Sequence, residues 1–349
     1  MEHEIKHIIL NSQIITPILI GEMLELPLSD WERELYLFLK EWFSDSDFVL
    51  AQTSGSTGEP KPIKLPKSVM IKSAERTIEY FELQPGNRIL HSLPCRFIAG
   101  KMMVVRAMVG QMNLVSVDPA SDFDFLENER FDFGAMVPNQ IIKILEQASG
   151  KVKLENIRNL LIGGSGISSA LEEQISQFSS RIVLTYGMTE TASHIAIREL
   201  SGDRKSEYYR CLPGIKVSIN ESDCLKIHIP EFATPLQTND LAELQSDTSF
   251  RILGRSDSVI ISGGIKYSPE AIEKKMEPLI NQRFVVSSLP DEKLGEKLVL
   301  VIEGEPFNTE YLRNQIKKNL PKFERPKSIV FMTTFPETDS GKVKRAEIK

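Results

Sequence analysis

Between Lys67 and Gly187 the chain alternates segments of helical and of strand character, and that alternation limits its fold more than any other feature. KSVMIKSAERTIEYFEL carries apolar residues at helical spacing, RILHSLP is a short apolar run of strand type, and AGKMMVVRAMVG is helical again. LVSV and GAMVP read as strands and NQIIKILEQ as a helix. NLLIGG is a strand feeding a turn, SSALEEQISQF a helix, and RIVLTYG a further strand. Strands separated by helices of about 10–15 residues form βαβ units, whose crossovers lay helices on the faces of a largely parallel sheet. The expected class is α/β.

The flanks differ. Ahead of the alternating region, LSDWERELYLFLKEWF has Ser29 and Glu32 as a capping box and sets Trp31, Leu35, Phe38, Leu39 and Trp42 on one helical face. A short apolar strand, Phe48 to Ala51, follows. After about Tyr209 the pattern turns to short strands with close turns: GIKVSI, CLKIHI, FRILG and SVIIS, as in hairpins or a small barrel. A helix then starts at Ser268, an N-cap residue with Pro269 at the first helical position. RFVVSSLP and KLVLVIEG read as strands, TEYLRNQIKKNL as a helix and SIVFM as a last strand. The expected organisation is a large domain over residues 1–254, with parallel βαβ sheets plus a small barrel-like β region, and a small mobile α+β domain over 255–349. The boundary falls in the polar stretch LGRSDSVI.

Charge and cysteine usage narrow the function classes. Lys and Arg total 42 against 48 Asp and Glu, a net charge of -6. Nucleic acids and anionic membranes bind basic faces, so neither is an expected partner; one anionic small-molecule site lined by local cations is still compatible. Cys95, Cys211 and Cys224 lie far apart with no companion histidine at ligand spacing, which argues against a zinc module or a disulfide framework. MEHEIKHIILNSQ has no apolar run of signal-peptide length, and nowhere do 18 apolar residues stand together. The expected location is the cytoplasm, without membrane insertion; oligomeric state is not legible.

Three loops could carry chemistry. Thr53-Ser54-Gly55-Ser56-Thr57-Gly58, followed by Lys61, follows a strand with small and hydroxyl residues whose backbone N–H groups can turn toward an anion. It lacks the GxxxxGK[ST] pattern of the common nucleotide loop, and taken alone it reads as readily as a flexible surface loop. Tyr186-Gly187-Met188-Thr189-Glu190-Thr191 ends the strand RIVL, where α/β sheets bind ligands. A tyrosine there can stack on a base, a threonine can donate to phosphate, and a glutamate can hold Mg²⁺, or the stretch is a plain strand-ending turn. Gly163, Gly164, Ser165 and Gly166 also follow a strand and allow close backbone approach, or simply a tight turn.

Together, and in this order, TSGSTGEPK, YGMTET, TND, GRSDSVIISGGIKYSPEAIE and PETDSGKVKR resemble the acyl-adenylate-forming superfamily of acyl-CoA synthetases, peptide-synthetase adenylation domains and luciferases. Within it the chain is most similar to the o-succinylbenzoate–CoA ligases of menaquinone biosynthesis, by its compact length and the residues around YGMTETAS. The resemblance implies ATP, Mg²⁺ and CoA as cofactor and co-substrates, and assigns roles. Thr53 to Gly58 with Lys61 would hold the β- and γ-phosphates of ATP, and Gly163, Gly164, Ser165, Tyr186 and Gly187 would frame the nucleotide. Thr189 would contact the α-phosphate and Glu190 would hold Mg²⁺. Asp240, assisted by Arg255, would take the ribose hydroxyls. Lys342 matches the adenylating lysine; without the resemblance it reads as part of a solvated basic tail with Lys344, Arg345 and Lys349. Asp257 matches the hinge, and Gly263 with Gly264 would line the path of CoA.

The departures are also visible. Fewer residues precede the phosphate loop than in typical members, so the resemblance leads to the expectation of a reduced or missing N-terminal subdomain. Asn239 stands where a glycine is usual, Ser258 where a second hinge aspartate is frequent, and Phe97 where a histidine is often found. The implied reaction joins a carboxylate to AMP and then to the CoA thiol. A pocket for o-succinylbenzoate needs a donor or cation for the carboxylate that survives. Arg106 in the apolar helix MMVVRAMV is one candidate, with snorkelling at a helix edge as its other reading; Lys101 and His194 are further candidates. A ligase or adenylation module for another aromatic or aliphatic acid is the alternative.

Overall fold

The computed structural model describes residues 5–52, 62–338 and 343–348. These form two compact units. Unit 1 holds the described residues up to Gly166 together with Gln174–Gly214; unit 2 holds Ile167–Glu173 and the described residues from Ile215 onward. The position 254/255, expected as a boundary, lies inside unit 2.

In chain order unit 1 begins with β1 (Ile8–Leu10), β2 (Gln13–Ile15), α1 (Pro17–Leu24), α2 (Asp30–Trp42), β3 (Phe48–Gln52), β4 (Pro62–Pro66) and α3 (Lys67–Phe81). It continues with β5 (Arg88–His91), α4 (Ile98–Val109), β6 (Asn113–Ser116), β7 (Phe133–Met136), α5 (Pro138–Leu145), α6 (Gly150–Glu155) and β8 (Asn159–Ile162). After α7 (Ser169–Ser176), which begins in the unit 2 segment Ile167–Glu173, come β9 (Arg181–Gly187), β10 (His194–Glu199) and β11 (Tyr209–Cys211). The sheet runs β11-β10-β9-β8-β7-β5-β6-β1-β2. From β9 to β1 every neighbouring pair is parallel. Strands β10 and β11 at one end, and β2 at the other, are antiparallel to their neighbours.

The alternation read from the sequence is thus the architecture. Strand residues such as Ile89, Leu90, Leu114, Phe133, Leu160, Ile162 and Ile182 are buried, as expected where helices cover both faces of a parallel sheet. Helix α4 is buried on nearly every side, from Gly100 to Met108, so its one arginine is carried into the interior. The N-terminal hairpin β1–β2 and helix α1 had no counterpart in the sequence reading. The hairpin turns on Asn11 and Ser12, both at positive φ, a two-residue turn that asparagine tolerates. Strands β3 and β4 pair antiparallel as a separate hairpin, with Gln52 opposite Pro62, so residues 53–61 join its two strands.

Unit 2 opens with the antiparallel meander β12 (Lys216–Ile219), β13 (Cys224–His228), β14 (Leu236–Ser246) and β15 (Ser249–Arg255). Then come β16 (Ile260–Ser262), β17 (Ile265–Tyr267), α8 (Pro269–Met276), β18 (Phe284–Asp291), β19 (Gly295–Glu303), α9 (Glu310–Asn319) and β20 (Ser328–Met332). Ile272, Met276, Leu300, Ile302, Leu312 and Ile316 close a core between these helices and strands. Ser268 caps α8 as expected, its Oγ accepting from the Ala271 N–H at 3.2 Å. Among the described residues no helix is long and apolar enough to cross a membrane.

Candidate functional site

Strand β8 is followed by Gly163, Gly164 and Ser165. A Cβ on Gly163 would stand 2.9 Å from Thr185 Oγ1, and Gly164 has a φ of +95°, a conformation that favours glycine. Thr185 on β9 donates to the Ile162 carbonyl at 3.1 Å, which ties the two strand ends together. At the same edge Tyr186 lies against Tyr209, ring centroids 5.8 Å apart. The glycine of the YGMTET motif has a steric origin. Gly187 pairs with His194 across β9 and β10, and a Cβ there would come 2.4 Å from His194 Cα and from the Ser193 carbonyl oxygen.

The turn that follows is pinned by one hydroxyl. Thr191 Oγ1 accepts from the Met188 N–H at 3.0 Å and donates to the Ser193 carbonyl at 2.6 Å. This sets Thr189, buried, and Glu190, half-buried, in a single 3-10 turn, closed by Ala192 with a φ of 61°. Among the described residues no three His, Cys, Asp or Glu side chains gather as a metal site. The donor set fits Mg²⁺ only in the manner of a nucleotide-bound ion, with Glu190 as one carboxylate and phosphate oxygens as the rest.

Arg106 turns out to be interior. It is 2% exposed, so it does not snorkel. Its Nη2 donates to Ser193 Oγ at 2.5 Å and reaches His194 Nδ1 at 3.3 Å, Nη1 approaches Met103 Sδ at 3.6 Å, and Nε has no partner. Burial pushes this guanidinium down to about 9. His194 is held well below the usual imidazole range by burial and by the Arg106 charge. Among the described residues no carboxylate makes an ion pair with Arg106. Sequence reasoning had named Arg106 and His194 and missed Ser193, the last residue of YGMTETAS, Met103, three residues before Arg106, and Thr77, which lies far from every motif. Lys101 goes elsewhere: on another side of α4 it pairs with Glu41 at 3.3 Å and lies over the Phe38 ring.

Unit 2 brings a second group together. Arg255 grips Asp257 with two bonds, Nε to Oδ1 at 2.8 Å and Nη2 to Oδ2 at 2.6 Å, and its Nη1 lies 3.4 Å from Asp240 Oδ1. The Arg255 bonds hold the Asp257 carboxyl below its usual range. Asn239, where a glycine is usual, donates to Asp257 Oδ2 at 3.4 Å. Gly263 and Gly264, with φ of +59° and +80°, form the two-residue turn between β16 and β17, a requirement that itself accounts for the pair of glycines. Thr53, Ser54, Gly55, Ser56, Thr57, Gly58, Lys61 and Lys342 lie outside the described residues.

The sequence profile of the AMP-binding enzyme family matches residues 30–226, more than half of the chain. The chain belongs to the AMP-binding enzyme family. The crystal structure of an acyl-CoA synthetase (AMP-forming)/AMP-acid ligase II-like protein from Dyadobacter fermentans shares 36% identity with a TM-score of 0.63, over 94% of this chain and 96% of that one. The 2-succinylbenzoate–CoA ligase of Lactococcus lactis is 27% identical over 86% of this chain and 70% of its own length. The o-succinylbenzoate–CoA synthetase of Bacillus subtilis, solved with ATP and a magnesium ion, has the same fold, with a TM-score of 0.73 at 22% identity over 85% of this chain and 69% of that one. The matched span, residues 30–226, contains the strand ends and the turn described above.

Proposed function

We propose that the protein activates a carboxylic acid with ATP to an acyl-adenylate and transfers the acyl group to CoA, and that the acid is o-succinylbenzoate, which places it in menaquinone biosynthesis. The observation that carries the choice of acid is Arg106: a buried cation with no carboxylate partner among the described residues, in a family member whose relatives include ligases named for a dicarboxylic acid. A buried charge is stable when paired, and the free carboxylate of o-succinylbenzoate supplies the missing anion.

A carboxylate cannot expel oxide, so the first step makes AMP the leaving group: carboxylate oxygen attacks the α-phosphorus and pyrophosphate departs. Two anions must meet, and catalysis is mainly positioning and charge neutralisation. In this reading Thr53 to Gly58 with Lys61 hold the β- and γ-phosphates, and Gly163, Gly164, Ser165, Tyr186 and Gly187 frame the nucleotide. Thr189 donates to the α-phosphate, Asp240 with Arg255 takes the ribose, and Lys342 offsets the charge developing at phosphorus. Glu190 would hold Mg²⁺, which neutralises phosphate charge when bound. In the second step the CoA thiol attacks the acyl carbon and AMP leaves, with Asp257 as the hinge that lets the segment bearing Lys342 withdraw and Gly263 and Gly264 beside the pantetheine arm. Acid-dependent ATP–pyrophosphate exchange tests the first step: exchange with o-succinylbenzoate supports it, and exchange only with monocarboxylic acids would replace the acid by another aromatic or aliphatic one.

A further inference from the structure

The hydrogen bonds that link Arg106, His194 and Thr77 can each be given a direction. A guanidinium only donates, so His194 Nδ1, 3.3 Å from Arg106 Nη2, must present a lone pair. The imidazole, kept neutral by burial and by the neighbouring charge, therefore carries its proton on Nε2. Nε2 lies 3.2 Å from Thr77 Oγ1 of α3, which must accept; the Thr77 hydroxyl proton then goes to the Ser73 carbonyl at 3.1 Å. On the other side the Ser193 hydroxyl accepts from Arg106 and lies 3.2 Å from the same Nδ1. Every member of this chain except Ser193 is at least nine-tenths buried, so water does not substitute for a missing partner.

We infer that Thr77 is a positioning residue for substrate specificity: by accepting from His194 Nε2–H it fixes the imidazole tautomer that offers Nδ1 to Arg106, and so holds the guanidinium in the orientation that receives the second carboxylate of the acid. Thr77 touches no substrate and takes no part in bond making. The inference rests on the reading of Arg106 as the anchor of that carboxylate. It adds a residue that lies far from every motif, on a helix whose other buried side chains are ordinary core.

The test uses three variants of the full chain, Thr77→Val, Thr77→Ser and Arg106→Met, with two readouts. Long-range ¹H–¹⁵N spectra of histidine-labelled protein report the tautomer; there are five histidines, and His194 is assigned by its loss in His194→Gln. The wild-type resonance is expected to show a proton on Nε2, and Thr77→Val is expected to populate the Nδ1–H form. In steady-state kinetics Thr77→Val should raise KM for o-succinylbenzoate about fivefold or more, with kcat and KM for ATP nearly unchanged. Thr77→Ser, which keeps the acceptor, should restore the wild-type KM. A wild-type His194 protonated on Nδ1, or on both nitrogens, overturns the inference without any variant having to fold. An unchanged KM in Thr77→Val overturns it as well, provided Arg106→Met raises KM. If Arg106→Met leaves KM unchanged, the anchor reading itself fails, and the inference falls with it.

Discussion

Arg106 Nη2 and His194 Nδ1 meet at 3.3 Å inside unit 1, where a cation faces a neutral base and no carboxylate among the described residues completes the pair. An arrangement that served folding alone would place an anion there, because an uncompensated buried charge costs several kcal/mol. Arg106→Met separates the two roles. With most of the side-chain volume kept and the charge removed, unfolding free energy should rise by about 1–4 kcal/mol, as buried ionic groups replaced by apolar ones often show. KM for the dicarboxylic acid should rise tenfold or more, the loss of about 1.4 kcal/mol of charge-assisted bonding, while KM for ATP changes less than twofold. Thermal melting with parallel kinetics checks both; a destabilised variant with a normal KM would make Arg106 structural.

Gly187 should tolerate no side chain. In Gly187→Ala the new Cβ would overlap the backbone of Ser193 and His194 at 2.4 Å, so β9 and β10 must part. The expected cost is about 2 kcal/mol or more, with a further loss of activity because Ser193 and His194 move with the strand. Denaturant unfolding against Gly166→Ala, where a Cβ meets nothing within 4 Å, measures the difference. Equal midpoints for the two variants would remove the close approach as the reason for this glycine.

Buried His91 gives stability a pH dependence with a defined sign. Burial lowers it to about 4, and the unfolded chain returns it to its ordinary value near 6.5. Below about pH 6.5 the unfolded state binds a proton that the native state refuses, so this contribution is full above that pH and shrinks as pH falls toward 4. The loss is about 1.4 kcal/mol for each pH unit per such group. In His91→Gln the dependence of unfolding free energy on pH between 6.5 and 5 should flatten by close to one proton. Identical slopes for both proteins would mean that His91 is protonated in the fold.

The two half-reactions should come apart in Lys342→Ala and Asp257→Pro. The first variant lacks the cation at the reacting phosphorus and should form adenylate at least about a hundredfold more slowly, yet should convert synthetic acyl-adenylate and CoA to thioester at a near-normal rate. The second fixes φ at the hinge position, in the 3-10 turn Ser256–Ser258, and should show the opposite pattern. Single-turnover rates for each step check this. A Lys342→Ala protein impaired equally in both steps would show that the lysine serves both, or serves the fold.

Much of this was legible in the sequence because one period of pattern maps to one element. The βαβ run is written in uninterrupted apolar strands, and the capping box of Ser29 and Glu32 closes as read, with Ser29 N–H donating to Glu32 at 2.9 Å. Strand β14 was not seen, since LQTNDLAELQS is largely polar and its register shifts twice, which breaks the alternation that marks a strand. The site divides the same way. The glycines and the turn around Glu190 are contiguous in sequence and could be named. The partners of Arg106 come from α4, the β9–β10 turn and the start of β10, and only the packed fold brings Thr77 of α3 to His194, 117 residues apart. Lys101 and Arg106 share an apolar helix and look alike in sequence, and only the structure shows the first paired with Glu41 and the second without a carboxylate among the described residues.

The most direct measurement is the product balance of the purified protein given ATP, Mg²⁺, CoA and o-succinylbenzoate. The expected result is one AMP and one pyrophosphate released for each o-succinylbenzoyl-CoA formed, with no AMP accumulating beyond a single turnover when CoA is withheld. Formation of ADP in place of AMP, or thioester only from acids that lack a second carboxylate, would contradict the account.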